Sequence, residues 1–296
     1  MNSQTLSLSG LWLPIVTPFH NGAVDQASLR RLVRHYRDQP IDGLVLAGTT
    51  GEALALSVAE IADIVHSVAD EQRKVGTPIP VLLGVGGSNT RKVIEHISNT
   101  ADWPIDGYLV SCPAYSRPSQ VGLLSHFEAI ADATARPLVI YNIPYRTGVN
   151  LSNDTLLGLA NRENLIGLKD CCADAEQTLD FLKRRPQNFA VMTGEDLAYH
   201  AALCAGADGA ILSAAHIRTQ EFAQVQTNLA NGRISEARTG WYDLHDITKL
   251  LFAEPSPGAV KHWLWRNGLI ESPELRLPMT RISDALAQLI DKKIVI

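Results

Sequence analysis

About eight short apolar runs recur along the first 215 or so residues, each closing on Gly, Thr, Ser, Pro or Asn and each followed by a segment with helical spacing. They are Leu11 to Val16, Gly43 to Ala47, Pro80 to Gly84, Gly107 to Ser111, Leu138 to Ile140, a run ending on Lys169, Ala190 to Thr193, and Gly209 to Leu212. Strand-length runs alternating with helical segments are the pattern of repeated βα units. Their nearly continuous apolar character fits parallel strands covered on both faces.

The intervening segments carry recognisable starts. Ser57-Val58-Ala59-Glu60 reads as a capping box, followed by Ile61, Ile64, Val65 and Val68 at helical spacing. Leu123, Phe127 and Ile130 form a stripe after Pro118-Ser119, and Leu156, Leu157 and Ala160 another after Ser152. An open sheet of that many parallel strands would leave two long edges, so closure into an α/β (β/α)8 TIM barrel is expected over residues 1–230. The period then breaks. Helices are expected from Ser235 to Leu251, from an N-cap and first-turn proline at Ser256-Pro257 to a stop at Gly268, and from Ser283 to Leu289. Residues 231–296 thus form a C-terminal helical appendage.

Composition narrows the function classes. The 26 basic against 31 acidic residues give a net charge of −5, with no footprint for nucleic acid. No apolar run reaches the roughly 20 residues of a membrane span. Met1 to Gly10 has neither a basic n-region nor an apolar h-region, which makes the cytoplasm the expected location. Cys112, Cys171, Cys172 and Cys204 lack metal-site or disulfide-framework spacing. The adjacent Cys171 and Cys172 read as small residues packed behind Lys169 rather than as a redox pair.

Active sites of such barrels form at the carboxyl ends of the strands. The candidates there are Thr17, Thr49, Thr50, Glu52, Tyr115, Tyr141, Arg146, Lys169 and Gly194. Lys169, followed by Asp170, reads either as a solvated strand end with a counter-charge or as a desolvated amine able to attack a ketone and form a Schiff base. Gly48-Thr49-Thr50-Gly51-Glu52 is either a plain turn or an anion cradle of hydroxyls and amide N–H groups. Tyr141 is either a packed aromatic or a proton carrier, and Arg146 either a loop residue or a carboxylate clamp.

Gly48-Thr49-Thr50-Gly51-Glu52, Tyr141-Asn142-Ile143-Pro144, Arg146-Thr147-Gly148 and Gly167-Leu168-Lys169-Asp170 together resemble the motifs of the dihydrodipicolinate synthase and N-acetylneuraminate lyase family of pyruvate-dependent class I aldolases. The resemblance runs from Pro14 through Glu254-Pro255. It implies that Lys169 forms the Schiff base with pyruvate and that Tyr141 is the adjacent acid/base. Thr49 would link Tyr141 to Tyr115, the latter entering from a neighbouring subunit. Thr49 and Thr50 would hold the pyruvate carboxylate, Gly194 and Ile211 would line the pocket, and Arg146 would meet the carboxylate of an aldehyde acceptor. No metal or organic cofactor is implied, and the implied assembly is a homotetramer of two tight dimers.

Within that family the Arg-Thr-Gly context favours a synthase acting on aspartate semialdehyde over aldolases or dehydratases of 2-keto-3-deoxy sugar acids. A catalytically silent pyruvate-binding module is opposed by the joint presence of Lys169, Tyr141, Thr49 and Tyr115. Gly84-Val85-Gly86-Gly87 is a poor nucleotide fingerprint, since Asn89 stands where a third glycine belongs. Tyr145 and Cys171-Cys172 depart from the commonest synthase residues, and Ala114 replaces the aromatic that usually precedes the relay tyrosine. Ala53, Val58, Ile61 and Val93 stand where lysine-inhibited synthases resembling this chain place polar or ionisable groups. Free lysine is therefore expected to inhibit weakly or not at all. A steady-state assay showing strong inhibition at sub-millimolar lysine would refute this.

Overall fold

The computed structural model describes residues 6–74 and 78–294, so the leader reading of Met1 to Gly10 lies partly outside the described residues. Eight parallel strands are present: β1 (Gly10–Pro14), β2 (Gly43–Leu46), β3 (Val81–Val85), β4 (Gly107–Ser111), β5 (Leu138–Asn142), β6 (Leu165–Asp170), β7 (Ala190–Thr193) and β8 (Gly209–Ile211). They close a barrel in the order β1-β8-β7-β6-β5-β4-β3-β2, with helices between them. The fold is the (β/α)8 barrel. Among the described residues no helix is long and apolar enough to cross a membrane.

A repeat in the sequence explains how the strands start. Asp42-Gly43, Asp106-Gly107 and Asp208-Gly209 open β2, β4 and β8. Each aspartate accepts the N–H of a residue in the neighbouring strand: Leu11 at 2.8 Å, Val81 at 2.7 Å and Val191 at 2.7 Å. Each also donates its own N–H back to that residue's carbonyl, at 2.8, 2.8 and 2.9 Å. The carboxylate satisfies a strand-end amide that the ladder leaves over, which fixes register at the amino ends.

The described chain resolves into two compact units. One holds Pro80–Ile211 with the residues up to Gly10. Its strands β3 to β8 pair in sequence, with Tyr141 of β5 opposite Lys169 of β6 and Lys169 opposite Met192 of β7. Helix Gln120–Asp132 starts on Ser119, whose hydroxyl accepts from Gly122, and buries Leu123, Phe127 and Ile130. In helix Asn153–Leu159 the buried positions are Thr155, Leu156 and Leu159. Leu157 is only half-buried, because it lies to the side of that face.

The other unit holds Leu11–Ile79 with the residues from Leu212 on. Trp12 of β1 lies opposite Gly43 of β2, and its ring occupies the space a Cβ at Gly43 would need, 2.4 Å away. The capping box at Ser57 and Glu60 is formed, and Ile61, Ile64, Val65 and Val68 are buried beneath helix Val58–Arg73. Phe19–His20 and Ala23–Val24 make a small antiparallel hairpin that the strand count did not anticipate. Its turn is Asn21-Gly22, both at positive φ, the dipeptide that two-residue hairpins prefer.

Three helices close this second unit: Ile234–Leu251, Gly258–Arg266 and Asp284–Lys293. Ser256 is not the N-cap expected of it; Pro257 occupies the cap position and no side chain caps the helix. Gly268 ends that helix at φ +68, its N–H bonded to Trp265 O. Helix Gln26–Arg37 is tied to this segment by Arg31 Nε to Leu269 O at 2.9 Å and by Glu271 N to Ser28 Oγ at 3.0 Å.

Candidate active site

Strand alternation decides which residues of β6 reach the site. Asp170 is turned toward the helix Ala175–Arg184: its carboxylate accepts from Thr178 Oγ1 at 2.6 Å and from Cys172 N at 3.0 Å. It therefore has its own partners and is not a counter-charge for its neighbour. Lys169 points the other way and is 6 % exposed, which removes the solvated strand-end reading. Its Nζ lies 4.4 Å from the centroid of the Tyr141 ring, the residue opposite it on β5.

Burial holds the Lys169 amine below the usual lysine range, since the charged form loses its hydration. Asp196 and Glu195 act against that shift, and Arg146 adds to it. Glu195 is itself raised by burial and lowered by Lys169. Gly194, bonded through its N–H to Asp170 O at 2.8 Å, has no Cβ because none would fit. A methyl there would stand 2.3 Å from Lys169 Cε and 2.6 Å from Cys171 Sγ. The lysine stem thus lies against a glycine backbone with the buried Cys171 thiol beside it, whereas Cys172, expected to pack there too, is only half-buried and turns its thiol to Asp170 and Thr178.

Arg146 sits in the helical turn Pro144–Thr147 that follows β5, exposed, with its guanidinium 5.5 Å over the ring of Tyr145. Tyr145 is in electrostatic reach of Cys171, Arg146 and Glu195. Ile211 ends β8 and is 1 % exposed. Tyr115 is held at φ +70, its N–H bonded to Thr147 O at 3.0 Å, and its side chain is 97 % exposed. Thr49 and Thr50 belong to the second unit, in the loop after β2, where Thr50 is buried and Thr49 exposed.

Glu195 and Asp196 were not among the residues expected at the site, and Tyr145 was expected there only as a departure from the commonest synthase residues that could reshape the pocket. The first two directly follow Gly194 at the carboxyl end of β7, so the strand-end rule applied two residues further would have found them. Among the described residues no group of three or more His, Cys, Asp or Glu is arranged to hold a metal ion.

A buried lysine and a tyrosine are opposed on neighbouring strand ends of a closed (β/α)8 barrel, and the family match places the chain among barrel lyases. The model of the dihydrodipicolinate synthetase family matches residues 7–295, and the chain belongs to that family. The 4-hydroxy-tetrahydrodipicolinate synthase 2 of Clostridium acetobutylicum is 37 % identical over 287 residues, 97 % of this chain and 99 % of that protein. The dihydrodipicolinate synthase of Aquifex aeolicus superposes with a TM-score of 0.91 at 31 % identity, covering 96 % of this chain and 98 % of that one. The chloride-inhibited enzyme of Acinetobacter baumannii, solved with pyruvate, gives 0.91 at 33 % identity, covering 97 % and 98 %.

The charges around the amine set the direction in which each variant moves it. Glu195→Gln removes a favourable neighbour and is expected to lower the pKa of Lys169 further; Arg146→Met removes an unfavourable one and is expected to raise it. The check is the pH dependence of amine labelling at Lys169, read by peptide mass spectrometry. Shifts of the opposite sign would show that other charges dominate.

Proposed function

We propose that the chain condenses pyruvate with aspartate semialdehyde, as a 4-hydroxy-tetrahydrodipicolinate synthase. The observation that carries this reading is a lysine 6 % exposed, its amine lowered in pKa by desolvation and lying 4.4 Å from the centroid of a tyrosine ring. A desolvated amine is a nucleophile at ordinary pH. Lys169 attacks the pyruvate ketone, and loss of water gives an iminium whose charge acidifies the methyl protons. Removal of one proton gives an enamine, and its carbon forms the new bond to the aldehyde. Tyr141 carries the protons for these steps, passing them through Thr49 to Tyr115.

Thr49 and Thr50 hold the pyruvate carboxylate, and Gly194 and Ile211 line the pocket. Arg146 takes the carboxylate of the acceptor, for which a guanidinium on an exposed turn is well suited. Every step is carried by the chain's own residues and the substrates, without metal or organic cofactor. Tyr115, 97 % exposed on a single chain, supports the reading that it serves a second copy. The working unit is then at least a dimer, and the assembly a tetramer of two such dimers.

Incubation with pyruvate and borohydride is expected to add one pyruvate-derived group to the peptide bearing Lys169, and none to Lys169→Ala. Labelling of another lysine, or of none, would overturn the mechanism. Turnover of pyruvate with aspartate semialdehyde is expected to exceed cleavage of 2-keto-3-deoxy sugar acids; the reverse preference would keep the chemistry and reassign the acceptor.

A further inference from the structure

The loop Gly48–Glu52 is an unfavourable piece of backbone. Ala47 and Glu52, neither of them glycine, stand at φ 47 and 54, the left-handed region that costs a side chain about 1–2 kcal/mol each in contact with its own carbonyl. A Cβ at Gly51 would stand 3.2 Å from Ile15 O, and Gly51 O accepts from Thr17 Oγ1 at 2.7 Å. Inside the loop, Glu52 N donates to Thr49 O at 3.0 Å. The Thr17 bond holds the loop's middle against the segment that follows β1, which leaves its end to be held elsewhere.

That end is held by a partner 209 residues away. The carboxylate of Glu52 pairs through Oε1 with Lys261 Nζ, with side-chain exposures of 3 % and 0 %. Lys261 also donates to Glu274 O at 2.9 Å, and Glu52 Oε2 accepts from Arg276 N at 3.2 Å. Both cations lie over the ring of Phe19, Lys261 Nζ 4.2 Å and Arg276 Cζ 4.4 Å from its centroid. Arg276 goes on to Ala55 O at 2.8 Å, Gly22 O at 2.8 Å and Glu60 Oε2 at 3.0 Å, and Gly22 N donates to Glu274 Oε1 at 2.8 Å.

We propose that Glu52 and Lys261 are positioning residues for the reaction, their buried contact fixing the loop that carries Thr49 and Thr50 and so setting the affinity for pyruvate. The inference rests on the reading that those threonines hold the pyruvate carboxylate. It gives the segment from Gly258 to Arg276 a part in catalysis without placing any of its atoms on substrate. A plain stabilising role would leave the network with no preference between substrate affinity and turnover.

The groups facing Lys261 are Glu52 and Glu274, which favour its charge, and Arg276, which with burial disfavours it; its helix neighbour His262 is engaged 2.9 Å from Asp291 instead. Burial is the largest of these influences and brings the Lys261 ammonium down to about 8. The proton is therefore bound below that pH and lost above it. Once it is lost, the buried ion pair is broken and the loop loses its anchor.

The test is steady-state kinetics on the full-length protein, with Tm measured on every variant. Lys261→Met is expected to raise KM for pyruvate roughly tenfold, the scale of a sub-ångström misplacement at a positioned group, with kcat little changed. The double variant Glu52→Gln/Lys261→Met, which leaves no unpaired charge, is expected to regain Tm while KM stays high. In the unmodified protein KM for pyruvate should climb through about pH 8, and that limb should be missing from the double variant. Should Lys261→Met fail to fold, Lys261→Arg keeps the charge, displaces it, and is expected to give the same KM increase. Thr50→Ala separates the two levels. If it raises KM while a folded Lys261→Met does not, the inference fails alone; if it leaves KM unchanged, the carboxylate reading fails and takes the inference with it. A KM that recovers together with Tm in the double variant also overturns the positioning role.

Discussion

Keeping one amine dry at the rim of a sheet is the constraint on which the site depends. Lysine is almost never fully buried, because its charged form loses strong hydration on leaving water. Here Lys169 is 6 % exposed with no carboxylate in direct ion pair among the described contacts. Asp170, the nearest in sequence, is drawn away by Thr178 and Cys172. Gly194 supplies the space for the lysine stem and Cys171 an apolar wall, its thiol raised by burial and hence protonated. Glu195 and Asp196 act from a distance in one direction and Arg146 in the other. A full ion pair would favour the ammonium and cancel the effect of burial, and no acidic neighbour at all would leave burial and Arg146 unopposed. Charges set back from the amine lie between these two cases.

Much of this was legible in the sequence, for reasons tied to particular residues. Local signals survive folding well: the apolar runs became eight strands, Ser57 with Glu60 became a formed capping box, and Ser119 and Ser152 became N-caps. The strand-end rule placed Lys169 and Tyr141 opposite each other because parallel strands in register bring their carboxyl ends to one level. The hairpin at Asn21-Gly22 carried a visible signal, but two-residue strands are too short to show alternation. The direction in which Asp170 points needed the partner helix to be known. Ser256 looked like an N-cap by residue type, yet the helix begins two residues later without one.

What sequence could not carry at all is pairing across long separations. Glu52 stood among the strand-end candidates, and Lys261 was one more polar position in a helix otherwise noted for Val260, Trp263 and Leu264. No spacing rule relates two residues 209 apart, and burial of a lysine at 0 % exposure runs against the ordinary expectation for its type.

The buried pair is better understood through conformation than through stability. Taking a carboxylate and an ammonium out of water costs several kcal/mol per ion, and their attraction offsets that cost only when the remaining donors and acceptors are satisfied. Here they are, by Glu274 O, Arg276 N and the face of Phe19. Even so, an apolar pair of the same volume is often no less stable than such an ion pair. What an apolar pair cannot supply is direction. A carboxylate gripped at one oxygen by Lys261 and at the other by the Arg276 amide allows Glu52 one orientation, and through its left-handed backbone it allows the loop one path. A loop fixed in this way holds its hydroxyl and amide groups in one arrangement, which is the preorganisation that the positioning role of the pair requires.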